Sequence, residues 1–173
     1  MTHDDFFDPR VPMLSEIDMV RALSRDDPEA YLARGALSPC MWSLFLQYLM
    51  DRERESTSGS EGRAAVLGTF LDLLEHLSTT PPIAADLRGA PLLDRWCAGM
   101  IDPAPHLFGR VTGHPRLRDG ARIFTSPYLQ VAVEQRWART WSRFYRLGEY
   151  DRHFFVELKL DEKIPSGSEL IEL

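Results

Sequence analysis

The sequence predicts an α+β protein, with a helical N-terminal half packed on a small antiparallel β-meander of three or four strands. Three observations carry this expectation. Up to about residue 77, apolar residues recur at three- and four-residue spacing behind helix-start signals. From His106 onward apolar and polar residues alternate, and Asp119-Gly120 supplies a hairpin pair. The charge changes where the period does. Residues 1–106 carry a net −8, residues 107–147 a net +6 from eight arginines against Asp119 and Glu134, and residues 148–173 a net −4.

The helices follow in order. Ser15-Glu16-Ile17-Asp18 is a weak capping box leading Leu14, Ile17, Val20 and Leu23, and the helix ends near Ser24. Asp27-Pro28 starts a second helix, because Asp caps an early N–H and Pro sits at N1 without losing a bond; Gly35 stops it. Ser38-Pro39 repeats that grammar and opens the strongest helix, whose face of Met41, Leu44, Phe45, Tyr48 and Leu49 is wide enough for core. Residues 56–60, Ser-Thr-Ser-Gly-Ser, read as a linker. Residues 61–77 return antiparallel to the preceding helix with Val66, Phe70, Leu73, Leu74 and Leu77 inward. The helical region thus spans residues 1–80.

The β-rich module spans residues 84–160. Residues 92–97 read as a short leading helix. Residues 106–114 read as a strand with Leu107 and Val111 on one side and Phe108, Arg110 and Thr112 on the other, Gly109 and Gly113 permitting close approach or a bend. Residues 122–133 are β-rich with a break at Ser126-Pro127; residues 137–147 are a third candidate strand and 153–160 a fourth. Residues 161–173 form a tail.

Composition excludes several classes of function. The chain has 173 residues, 44% hydrophobic and 27% charged, which suits one globular domain with or without a helical extension. No basic segment leads into an apolar run near the start, and the longest apolar window, residues 40–50, is broken by Ser43 and Gln47, so the expected location is cytoplasmic. Cys40 and Cys97 read as reduced thiols. The five histidines have no partners at metal-ligand spacing, and neither a phosphate loop nor a nucleophile elbow is present; no metal, cofactor or enzymatic activity is expected.

Eighteen of the twenty basic residues are Arg, and residues 107–147 hold eight of them. Trp137, Arg139, Trp141, Arg143 and Tyr145 recur at every second position. On one strand all five share a face, and with Arg110 and Arg122 they make a candidate surface for a partner or for nucleic acid, stacking bases and neutralising phosphates. Two plainer readings stand beside it: buried aromatics with arginines paired to the acidic flanks, or a helix with the aromatics in a core. His114, at a strand end between Gly113 and Pro115, is placed to act as a general base, although a turn-stabilising histidine is the commoner role.

Residues 84–148 carry a combination of elements: Gly113-His114-Pro115, Asp119-Gly120, Thr125-Ser126 and Tyr145-Arg146-Leu147-Gly148. In these the chain resembles a family of small bacterial proteins of unknown function, and the resemblance implies an intact β-rich module but no activity. The leading functional expectation is a non-catalytic protein-binding protein, such as an immunity protein or an inhibitor from a mobile element or toxin locus, whose acidic surface steers a basic partner. The alternative is a nucleic-acid-associated regulator using the Arg/aromatic face, and the third is a small-molecule enzyme with His114 in a pocket.

Overall fold

The computed structural model describes residues 10–55 and 63–173; the expected linker at 56–60 lies outside the described residues. The chain is α+β and divides into two units, Arg10–Thr79 and Thr80–Leu173.

The first unit is four helices: α1 (Arg10–Ser24), α2 (Pro28–Ala33), α3 (Pro39–Glu55) and α4 (Arg63–Thr79). The start signals act as written. Asp27 accepts from the Ala30 N–H at 2.9 Å, and Gly35 takes φ +64 beyond the end of α2. Ser38 Oγ accepts from the Met41 N–H and itself donates to Glu16 at 2.7 Å, tying the start of α3 to α1. Arg21 ties α1 to α4, donating to Glu75 at 2.6 Å and to Asp72 at 2.5 Å. Between α3 and α4 the ring of Phe70 meets Phe45 and Tyr48 at centroid distances of 5.0 and 5.6 Å, so the expected helix pairing holds.

The second unit is built on a mixed sheet of seven strands rather than a three- or four-stranded meander. After α5 (Ala84–Arg88) come β1 (Leu92–Ile101), β2 (Ala104–Thr112) and β3 (Ala121–Phe124), paired antiparallel in sequence order. Then β4 (Tyr128–Ala132), β5 (Trp137–Thr140) and β6 (Phe144–Leu147) form a second antiparallel meander, and β6 joins β1 in parallel. The spatial order β3-β2-β1-β6-β5-β4 puts β3 and β4 at opposite ends of the path, yet only Thr125, Ser126 and Pro127 connect them. Flat, six strands spaced ~4.8 Å apart would hold those ends ~24 Å apart, beyond the ~15 Å that four Cα steps can reach. The sheet is therefore rolled. The link itself bonds to both meanders: Thr125 N–H donates to Leu107 O and Trp141 N–H to Pro127 O, each at 2.8 Å. Inside the roll Leu93, Trp96, Leu107, Val111, Tyr128, Ala138, Tyr145 and Leu147 form one buried cluster.

Four expectations are corrected. Residues 92–97 are strand, not helix: a bulge between Asp94 and Cys97, with Arg95 at φ +48, inserts an extra residue and spaces Leu93 and Trp96 as a helix would. Residues 153–160 are helix, not strand: in α6 (Arg152–Leu160) Asp151 caps the His153 N–H, and Phe154, Phe155 and Leu158 face Phe108 and Cys97 on the outside of the roll. Arg95, turned outward by the bulge, reaches this helix through Asp151 and Glu157 at 2.7 and 2.6 Å. The tail adds β7 (Glu169–Ile171), antiparallel to the far half of β1. Residues 137–147 are two strands, because the chain reverses at Trp141-Ser142, with Thr140 N–H donating to Arg143 O at 2.9 Å.

Among the described residues no helix is long and apolar enough to cross a membrane, and no group of His, Cys, Asp and Glu is placed to hold a metal ion.

Candidate functional site

The reversal at Trp141-Ser142 breaks the alternation on which a shared Arg/aromatic face depended. Ala138 and Tyr145 pair across β5 and β6 and point into the roll, which puts Trp137, Arg139, Phe144 and Arg146 outside. The ring of Phe144 sits against Trp137, centroids 6.0 Å apart, and carries the Arg139 guanidinium at 4.6 Å. Trp137, Trp141 and Tyr145 are all buried and so present no stacking platform to a base. Arg110 lies over the Phe154 ring and pairs across β2 and β3 with Arg122, away from the β5–β6 hairpin. The five residues do not share a face.

Arg122, Arg143 and Tyr145 do come together with His114 around a cavity of about 760 Å3. It runs along β3, between that edge strand and the β5–β6 hairpin, at the seam where the two meanders meet. The turn chemistry builds one wall. Gly113 and Gly120 adopt φ +74 and +78, Asp119 Oδ1 accepts from the Gly113 N–H at 2.8 Å, and the closed loop between them projects Arg118 and Leu117. The other wall is the hairpin, whose Ser142 hydroxyl lies 2.9 Å from that of Ser126 in the β3–β4 link, with Ser126 donating to Thr140 Oγ1 at 3.1 Å. Leu158 and Ile164 at the end of α6 contribute apolar floor.

The electrostatics are one-sided. Arg118, Arg122, Arg143 and Lys163 line the cavity, and among the described residues no carboxylate does. Arg122 is paired with Asp161 outside the lining; Arg118, Arg143 and Lys163 form no ion pair with a described residue. Arg143 also buries its Nε without a hydrogen-bond partner. His114 feels the consequence: burial, then the charges of Arg143 and Arg116, hold its pKa below the ordinary value. Its Nδ1 accepts the Arg116 N–H at 3.1 Å, so the neutral ring carries its proton on Nε2. Burial likewise pushes the Tyr145 phenol up, against the opposing pull of Arg143.

Arg118, Lys163 and Ser142 are cavity residues that spacing did not single out. Arg118 and Ser142 sit in turns whose polar signal was present in the sequence; Lys163 reaches the site only through the tertiary placement of α6.

No curated protein and no solved structure matches the chain. Residues 64–167 match a family of unknown function, DUF6634. The match extends beyond the stretch of resemblance at both ends, taking in α4 and α6 together with β1–β6. The chain therefore belongs to the family of unknown function DUF6634.

Proposed function

We propose that the second unit is a receptor for a small organic anion, bound in the seam cavity. The observation that carries this reading is the make-up of the walls: four cationic side chains and several hydroxyls over an apolar floor, with no carboxylate among the described residues. The volume of about 760 Å3 lies within the ~300–1,000 Å3 usual for small-molecule sites. Three of the cations lack a described counter-charge, which a bound anion would supply. Neutral His114 adds an Nε2–H donor. The Ser126, Thr140 and Ser142 hydroxyls bond to one another rather than to a base, which favours binding over nucleophilic chemistry.

The test is calorimetric titration with phenyl phosphate, benzenesulfonate and benzyl alcohol at low and moderate salt. Both anions are expected to bind, more weakly as salt rises, and the alcohol not to. Arg143→Gln is expected to weaken the anions about tenfold or more, from losing a charge-assisted hydrogen bond of roughly 1.5–3 kcal/mol. Equal affinity for the alcohol, no binding of any probe, or indifference to Arg143→Gln refutes the reading.

A second reading, a protein-binding protein such as an immunity protein or inhibitor, draws on the helical unit. Trp42, Leu46 and Met50 are exposed at successive four-residue steps along α3. Affinity capture with the native chain and with Trp42→Ser/Met50→Ser tests it. A partner retained by the first and lost by the second supports it, and equal recovery counts against it.

A further inference from the structure

Arg143 and Ser142 line the seam cavity and also a second depression, of about 400 Å3, on the outer face of β5 and β6. Arg139, Phe144 and Asp86 wall that depression, and Gly89 and Gly113 leave its backbone rim bare. The hairpin corner is thus a partition with a guanidinium available to both sides.

Arg139 resembles Arg143 in its discontent. Each buries its Nε with no hydrogen-bond partner, and neither forms an ion pair with a described residue. Arg139 lies over the Phe144 ring, an arrangement that orients the planar guanidinium while its edge N–H groups remain for an acceptor. The single carboxylate present among the described residues, Asp86, accepts the Ile83 N–H at 2.9 Å and leaves two guanidiniums facing one negative charge. Burial lowers the Arg139 pKa against the pull of Asp86, as an under-compensated cation requires.

On the reading of the seam cavity as an anion site, we propose that cavity and depression are two halves of one site, and that its ligand carries two anionic groups. Arg118 and Lys163 hold one group in the cavity, Arg139 holds the other in the depression, and Arg143 lies between them. Three arginines among these four cations favour phosphate groups, whose oxygens accept paired N–H bonds from a guanidinium edge. The ligand class is a bisphosphate with a short organic linker.

The experiment titrates the full chain with phenyl phosphate and with straight-chain alkanediol bisphosphates of two to eight carbons, comparing the native protein with Arg139→Gln and Arg139→Lys. Phenyl phosphate is expected to bind native protein and Arg139→Gln within about twofold. At least one bisphosphate is expected to bind the native protein about tenfold or more tighter than phenyl phosphate, because its second group docks at high effective concentration. Arg139→Gln removes that gain and Arg139→Lys restores part of it. Alkane dicarboxylates of matching length separate phosphate from carboxylate, and equal affinity for them overturns the phosphate assignment. Should Arg139→Gln unfold, the Nε–H resonances of the native protein give the same answer: a bisphosphate shifts that of Arg139 along with those of Arg118 and Arg143, and phenyl phosphate shifts the latter two and not that of Arg139. A gain that is absent, that survives in Arg139→Gln, or that leaves the Arg139 resonance unmoved overturns the two-part site. Phenyl phosphate binding without any bisphosphate gain overturns this inference and leaves the cavity reading standing; failure of every anion overturns both.

Discussion

Gly109→Ala is the sharpest test of how the roll is packed. Gly109 lies in β2 opposite Ile123 of β3, and a Cβ built there falls 2.7 Å from Leu93 Cγ, 2.8 Å from Leu93 Cδ1 and 3.0 Å from Asp94 O. Carbon atoms in contact sit ~3.5–4.0 Å apart, so one of the partners must retreat by most of an ångström. Leu93 is fully buried in the interior cluster, and Asp94 begins the β1 bulge, so neither has open space behind it. Overpacking of this kind costs about 1–3 kcal/mol, and the backbone oxygen among the clashes places Gly109→Ala in the upper half of that range. Gly89→Ala is the matched control, since a Cβ at Gly89 meets nothing within 4 Å and its φ of −91 suits alanine. Urea unfolding followed by tryptophan fluorescence reads mainly this unit, which contains Trp96, Trp137 and Trp141. With m near 2 kcal/mol/M the midpoint of Gly109→Ala should fall by roughly 1 M, while Gly89→Ala stays level or rises slightly. A Gly109→Ala midpoint equal to that of Gly89→Ala refutes the close approach of β1 and β2.

Other consequences follow from single groups. Asp27→Ala and Ser38→Ala each remove a cap, and each is expected to cost about 0.5–2 kcal/mol with a loss of helicity measurable by far-ultraviolet circular dichroism. Burial works against ionised Asp151, but hydrogen bonds from Arg95 and the His153 N–H outweigh it and hold the carboxyl below its ordinary pKa. The stability this contributes is present above the unfolded-state pKa near 4 and is lost as pH falls through the lower folded value, so Arg95→Met should flatten the acid limb of the stability profile; an unchanged limb contradicts the pairing. Burial pushes the Cys97 thiol up to about 12 and the Cys40 thiol up to about 11. At pH 8 both should therefore react with a disulfide reagent far more slowly in the native chain than in urea, and rapid native labelling of Cys97 tells against its burial.

What the sequence revealed depended on how local the controlling physics was. Asp27-Pro28, Ser38-Pro39 and Asp119-Gly120 act through bonds spanning a few residues, and all three appear where expected. The division of β2 into Leu107 and Val111 on one side and Phe108 on the other also holds, because the strand is regular between its bulge partners. The failures share a cause. The β1 bulge shifts parity within one strand, so Leu93 and Trp96 imitate a helix. The reversal at Trp141-Ser142 shifts parity between two strands and scatters a five-residue ladder over the interior, the outer face and a turn. Ser142 was the available clue to that turn. Asp151 was the clue to α6, since an acidic cap before Phe154, Phe155 and Leu158 fits helical spacing better than alternation. The seam cavity had no local signal, because it needs β3, a hairpin and the end of α6 at one place.

The three-residue link between β3 and β4 has a thermodynamic consequence. Each meander can form from neighbouring hairpins, but the cavity takes residues from both and exists only once the link has drawn their outer strands together. For the proposed anion, affinity and closure of the roll are therefore one equilibrium: a ligand at a hundred times its Kd would add about 2.7 kcal/mol to the closed form. Conversely, the three cations at the seam without a described counter-charge, Arg118, Arg143 and Lys163, oppose its closing while the site is empty. Inorganic phosphate or any other anion that fills the site should then act as a folding ligand, protecting the amides of β3 and the β5–β6 hairpin from exchange before it affects those of the helical unit.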